Sequence, residues 1–226
     1  MDWLLWPVGF LALLVSSRLA VALVIWLSTL LITPRLLPRM DYSLGVPALS
    51  RTLVVVPTML TSEQNVEELV EALEVRFLAN RDGCLHFGLL TDFCDASEAC
   101  VAEDETLVRL VSTRIEALNR KYGEGAAGEQ TSGNAGQGGD TFFLFHRPRQ
   151  WNAQDQVWMG YERKRGKLAA LNALLRSDAD AASAGTSAGI SGFSHIVGNT
   201  AILSSVRYVI TLDTDTQLPR DAARQF

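Results

Sequence analysis

Residues 51–57 read Arg-Thr-Leu-Val-Val-Val-Pro, an almost unbroken apolar and β-branched run. A strand without polar alternation has no face to offer to water, so it belongs inside a mostly parallel sheet covered by helices on both sides. The residues that follow agree with this. Thr61 and Gln64 have the spacing of a capping box, and Val66, Leu69, Val70, Leu73 and Phe77 recur at helical intervals. Asn80, Asp82 and Gly83 break the chain before a second apolar run, 85–91, which ends at Asp92. A second helix is predicted over about 103–122, with Leu107, Leu110, Val111 and Leu118 on its apolar side, then a strand over 141–146. A last strand over 207–212 leads straight into Asp213-Thr-Asp215. Such alternation predicts an α/β fold with a doubly wound sheet, which reads as unfinished where the chain reaches Phe226.

Two stretches interrupt this pattern. Residues 123–140 and 177–192 are rich in Gly, Ser, Ala and Gln and poor in large apolar side chains, so they read as flexible insertions. The rest is ordinary globular material, since 48% of the residues are hydrophobic and 20% charged, which excludes disordered and collagen-like classes. A net charge of -5 without a long basic stripe excludes nucleic acid as a partner. Cys84, Cys94 and Cys100 are an odd set without paired metal spacing, and read as reduced cytosolic thiols. His86, His146 and His195 are scattered, which argues against a zinc site.

From Trp3 to Thr33 the only formal charge is Arg18. A bilayer core takes about 20 helical residues, so 1–34 reads as one span flanked by an interfacial helix. A re-entrant pair broken at Ser16-Ser17-Arg18 is the competing reading, and a signal peptide is disfavoured by the lack of a basic start. Pro34 and Pro38 end the helix, 35–50 reads as a juxtamembrane linker, and 51–226 as the soluble unit. Arg35, Arg39 and Arg51 place that unit in the cytoplasm under the positive-inside rule.

Three features bear chemistry. Asp213 and Asp215 stand at the carboxyl end of a strand expected to be buried, where open α/β sheets bind ligands, and two carboxylates there suit an oxygen-loving divalent cation with diphosphate oxygens. A second such triplet, Asp178-Ala-Asp180, lies in a low-complexity stretch and reads as solvated loop. Asp92 ends another strand, on the same rim. Arg163-Lys-Arg-Gly-Lys167 is the densest basic cluster and opens a helix with Leu168, Leu171 and Leu174 on one side, a natural neighbour for a diphosphate. It is not a Walker A loop, because Gly160 to Gly166 encloses five residues and Leu follows Lys167. Helix caps and an exposed basic face are the plain alternatives for all three.

The strings LVVVPTML (53–60), LHFGLLTDFCDA (85–96), FFLFHRPRQWN (142–152), WMGYERKRGKLAALNALL (158–175) and VRYVITLDTDTQLPRD (206–221) resemble the glycosyltransferase region of bacterial cyclic β-1,2-glucan synthases. The resemblance covers essentially the whole soluble part. It implies a GT-A-type transferase domain of a large inner-membrane enzyme that uses UDP-glucose and extends a β-1,2-glucan acceptor. It further implies that Asp213 and Asp215 hold Mg²⁺ or Mn²⁺, that Asp92 contacts the uridine, and that Lys167 and Asn172 form the lysine and asparagine of a donor-site motif. Pro57 and Thr58 fall where such enzymes place the loop beneath the nucleotide. The general base and a QxxRW-type acceptor motif are expected beyond Phe226, so the catalytic residue is unknown and the chain reads as a fragment whose own activity is open. A non-catalytic nucleotide-sugar-binding remnant is the alternative. A haloacid-dehalogenase-type phosphatase, with Asp213 as nucleophile, is disfavoured because Gln217 stands where that pattern wants Thr or Val.

Overall fold

The computed structural model describes residues 3, 5–32, 42–123, 139–176 and 192–225. Most of the two expected insertions, Pro34, Arg35, Pro38, Arg39 and the Asp178/Asp180 triplet lie outside these residues. The chain divides into two units, Met1–Arg39 and Met40–Phe226.

The first unit holds α1, Leu5–Leu31, a single helix of 27 residues. At 1.5 Å per residue it is about 40 Å long, more than the ~30 Å of a hydrocarbon core. It is long and apolar enough to cross a membrane. No break occurs at Ser16-Ser17-Arg18, and no separate interfacial helix precedes or follows within the described part. Serine and arginine are compatible with a helix interior, so the local change in composition does not interrupt it.

The second unit is a mixed α/β structure. Its elements are β1 (Thr52–Leu60), α2 (Glu63–Ala79), β2 (Leu85–Phe93), α3 (Asp104–Gly123), β3 (Phe142–His146), β4 (Gln150–Asn152), β5 (Val157–Met159), α4 (Arg163–Arg176), β6 (His195–Val197) and β7 (Tyr208–Thr211). Five strands form one sheet in the order β6-β3-β2-β1-β7. The β3, β2, β1 and β7 strands run parallel to one another and β6 runs antiparallel to β3. β4 and β5 form a separate antiparallel hairpin. The hairpin and β6 went unpredicted because three-residue strands are too short to show a period.

Alternate residues of the inner strands feed two cores. On one face Val54, Val56, Phe87, Leu89, Phe142 and Leu144 pack with Val66, Leu69, Val70, Leu73 and Phe77 of α2 and with Leu107, Val111, Ile115 and Leu118 of α3. On the other, Leu53, Val55, Leu90, Phe143 and Phe145 pack with Leu171 of α4, Phe193 and Leu203. Helices on both faces are what the apolar run in β1 requires. Residues 42–50, read as a linker, also join this unit: Val46 is buried in the first core and its N–H is held by Asp82 Oδ2 at 2.9 Å.

Two local details differ from expectation. Ser62, not Thr61, caps α2 and accepts from the Asn65 N–H, while Asn65 Oδ1 accepts from the Thr61 N–H. Asparagine thus supplies the return bond expected from Gln64, one position along. Pro57 lies inside β1, where a missing N–H would normally break a ladder. The backbone of Val55 faces β7, its carbonyl accepting from Leu212 N–H, and Pro57 shares that orientation two residues further on. β7 has ended by then, since Val55 is the last residue of β1 it pairs with, so proline displaces no bond.

Candidate functional site

Strand order reverses at β1: β2 and β3 lie to one side and β7 to the other. In open parallel sheets, the crevice beyond the carboxyl ends at such a point is where ligands bind. Pro57 and Thr58 lie in the carboxyl-terminal half of β1 there, Asp92 is the penultimate residue of β2, and Asp213 follows β7.

The β2 side is dry and crowded. Asp92 is 2% exposed, and its carboxylate accepts from Arg147 Nε at 2.9 Å and Arg147 Nη2 at 3.0 Å. Lys167, in the first turns of α4, reaches the same carboxylate at 3.1 Å and also donates to the Thr58 carbonyl. Two buried cations therefore share one carboxylate, which leaves a surplus positive charge at the rim. Burial lowers the Lys167 pKa, against the opposing pull of Asp92. Arg147 also donates to the carbonyls of Tyr161 and Arg163, at 3.1 and 3.3 Å. Those carbonyls belong to the turn entering α4, where Glu162 and Arg163 have φ of 54° and 44°. Consecutive non-glycine residues in this region are strained, and such strain persists only where the surroundings impose it. Arg147 imposes it from below, and Gly160 from the side, since a Cβ there would overlap the Asp92 carboxylate.

The β7 side is open. β7 was expected to be buried, but it is the edge strand, and Tyr208 and Thr211 are exposed. With β1 as its one neighbour among the described residues, it leaves the Asp213 side chain 61% exposed and paired with Lys164 Nζ at 2.5 Å. Asp215 lines a groove along α2 with Glu68, Glu71 and Arg76. The turn carrying both aspartates is held by its backbone: Arg76, 6% exposed, donates to the carbonyls of Thr214 at 2.8 Å and Thr216 at 2.9 Å. Asn80 extends the hold, donating to Leu218 O and accepting from Ala223 N–H.

The structure therefore brings Thr58, Asp92 and Lys167 into contact and sets Asp213 across the crevice beside Lys164. Asn172 is not gathered in. It lies exposed on α4, five residues past Lys167, and at 100° per residue that turns it about 140° away around the helix. Arg147 and Arg76 were missed. Arg147 had a readable signal, for it directly follows a strand end on the rim, whereas Arg76 sits mid-helix and is marked only by its tertiary partners.

Asp213 and Asp215 are hard oxygen donors of the kind a divalent cation takes, but Asp213 turns to the Lys164 ammonium while Asp215 lines the groove along α2. Among the described residues no His, Cys, Asp or Glu group of three or more is placed to hold a metal.

No family model matches the chain. Among curated proteins, the Cyclic beta-(1,2)-glucan synthase NdvB of Rhizobium meliloti (strain 1021) is 38% identical over 194 residues, which is 86% of this chain. The chain spans about 6% of that protein's length. The resemblance read from the sequence strings is thereby borne out: along most of its length, this chain is similar to a short stretch of a cyclic β-1,2-glucan synthase.

Proposed function

We propose that this chain is the donor-binding part of a GT-A-type glucosyltransferase, which takes glucose from UDP-glucose and passes it, with inversion, to a growing β-1,2-glucan. In this reading α1 anchors it in a bacterial inner membrane, with the second unit in the cytoplasm. The observation that carries the reading is the buried Asp92–Arg147–Lys167 cluster at the crevice, with its surplus positive charge. The entry to α4 points the same way. Arg163, Lys164 and Arg165 stand in the first turn against the positive end of the helix dipole, and their surface pairings with Asp95, Asp213 and Glu162 are ones that an incoming anion would replace.

The residues divide the work accordingly. Lys167 and the α4 N-terminus hold the diphosphate, while Pro57 and Thr58 form the floor. Asp92 stands at the nucleoside end, where its first task is to hold Arg147 and Lys167 in place. Asp213 and Asp215 would hold Mg²⁺ or Mn²⁺, which when bound neutralises charge on the departing diphosphate. Lys164, paired with Asp213, would then turn toward a phosphate oxygen. Transfer also needs a base to deprotonate the acceptor hydroxyl, and none is assigned among the described residues.

Calorimetric titration of the detergent-solubilised chain with UDP-glucose, with and without Mn²⁺, tests the reading. Asp213→Ala or Asp215→Ala should remove the metal-dependent part of binding, and Lys167→Met should weaken UDP with or without metal. Asp178→Ala with Asp180→Ala is the matched control. Equal losses from the control and the Asp213/Asp215 pair would refute the assignment.

A further inference from the structure

The β4–β5 hairpin carries an aromatic pair that the donor reading does not use. Its register sets Gln150 opposite Met159, Trp151 opposite Trp158, and Asn152 opposite Val157. Paired residues share a face, so the tryptophans stand together on one side and Met159 and Val157 on the other. Met159 is 8% exposed, which fixes its face inward and leaves the tryptophan face outward. Trp151 is 49% exposed and Trp158 half-buried behind it, and the two rings lie 5.7 Å apart at 57°.

Packing needs do not account for this pair. A two-stranded hairpin is marginal alone, but this one is secured by other contacts. The Trp158 N–H and carbonyl each bond Ala96, both at 2.9 Å, which ties β5 to the segment following Asp92. Asn152 closes the loop by accepting from Gln154 N–H and donating to Asp155 Oδ2. At its other end β5 runs into Gly160, pressed against Asp92. The hairpin is thus tied down beside the crevice, with Trp158 two residues from the glycine that abuts the buried Asp92 carboxylate.

The chemistry around them selects a neutral, hydroxyl-rich ligand. From Gln150 to Gly160 there is no lysine or arginine and Asp155 is the only charged residue, so the surface has nothing to attract phosphate or an anionic lipid headgroup. Gln154, Asp155 and Gln156 are exposed at the loop and offer amide and carboxylate groups to hydroxyls. A β-linked glucose ring presents a flat face of axial C–H groups that packs against an indole, with its hydroxyls at the edge.

We propose that the outer face of this hairpin, Trp151 with Trp158, is an acceptor subsite that stacks a glucosyl unit of the glucan chain beside the donor crevice. This rests on the glucosyltransferase reading above, since it is the donor next door that makes a glucan the ligand to expect.

The test is titration of the detergent-solubilised full chain with a β-1,2-linked gluco-oligosaccharide, followed by heat and by tryptophan emission, with UDP-glucose in a parallel arm. Wild type should bind the sugar with a change in emission. Trp151→Ala and Trp158→Ala should each weaken that binding about tenfold, Trp151→Phe should retain most of it, and UDP-glucose binding should be the same in all. Absence of oligosaccharide binding by wild type, or equal binding by both alanine variants, overturns the subsite. An emission shift with phosphatidylglycerol vesicles but none with the sugar overturns it too, in favour of a membrane surface. Oligosaccharide binding without UDP-glucose binding leaves the subsite standing and removes the donor reading.

Discussion

Asp92 and Asp213 look alike in the sequence, each a carboxylate that follows an apolar strand onto the same rim, yet they occupy opposite physical environments. β2 has a strand on each side and β7 has one. Asp92 is therefore 2% exposed and locked between Arg147 and Lys167, while the Asp213 side chain is 61% exposed and meets the half-exposed Lys164 ammonium. The first is a fixed part of the scaffold that borders the crevice, and the second is an exposed carboxylate whose one ion pair lies at the surface. A strand end marks a position on the rim; the number of neighbouring strands decides whether that position is structural or available.

Removing partners on the two sides should separate them most sharply. Arg147→Ala leaves Asp92 with Lys167 alone and frees the Tyr161 and Arg163 carbonyls, and breaking a buried pair in this way costs about 3–5 kcal/mol. Urea unfolding should show it as a lower midpoint with unchanged slope, and a loss under 1 kcal/mol would mean that water reaches the cluster.

Acid should act on the dry side next. His146 ends β3, is 2% exposed, and is held below its usual range, at about 4, by burial first, with Asp92 pulling the other way. Its Nδ1 faces Thr91 Oγ1 at 2.8 Å, and its Nε2 has no hydrogen-bond partner among the described residues. His86, also buried, is lowered to about 4 by burial and by Arg51. The folded protein binds these protons less readily than the unfolded chain. Their contribution is therefore fully present above about pH 6.5 and is lost as pH falls from there through about 4. His146→Phe should flatten that slope by an amount on the order of 3 kcal/mol across the window, measured as urea stability against pH. An unaltered slope would show that His146 is charged in the fold.

Gly160→Ala places a methyl in the Asp92 carboxylate without any demand for positive φ, and such overpacking costs about 1–3 kcal/mol. Its unfolding midpoint should drop while Gly83→Ala, where a Cβ meets nothing within 4 Å, leaves it in place. The smallest effect belongs to the open side. Asp213→Ala should change stability by no more than about 0.5 kcal/mol, measured by the same unfolding, even as it removes the metal-dependent binding proposed for it. A large loss of stability would make Asp213 a second Asp92 and erase the contrast.

Much of the fold was legible. The unbroken run at β1, the helical recurrence in α2 and α3, and the apolar strings of β2 and β3 are local patterns, and burial on one or both faces is what writes them. The caps slipped by one residue because Thr61, Ser62, Gln64 and Asn65 offer two overlapping boxes, and only the backbone chooses between them. The hairpin and β6 escaped because three residues carry no period, and Arg147, Arg76 and the outward tryptophans because a polar or aromatic residue in a sequence does not show which way it points.

The sequence by itself determined that this chain has a long apolar helix followed by an α/β unit with acidic residues at strand ends, because hydrophobic periodicity and turn chemistry act between near neighbours. Only the tertiary structure decided that Asp92 is buried and Asp213 free, that Lys167 turns in while Asn172 turns out, and that Arg147 clamps the strained entry to α4. Those outcomes depend on strand order and on charges brought together from 55 residues apart, as in Arg147 and Asp92, and the electrostatic cost of burial is set by what surrounds a group in space, not by what precedes it in the chain.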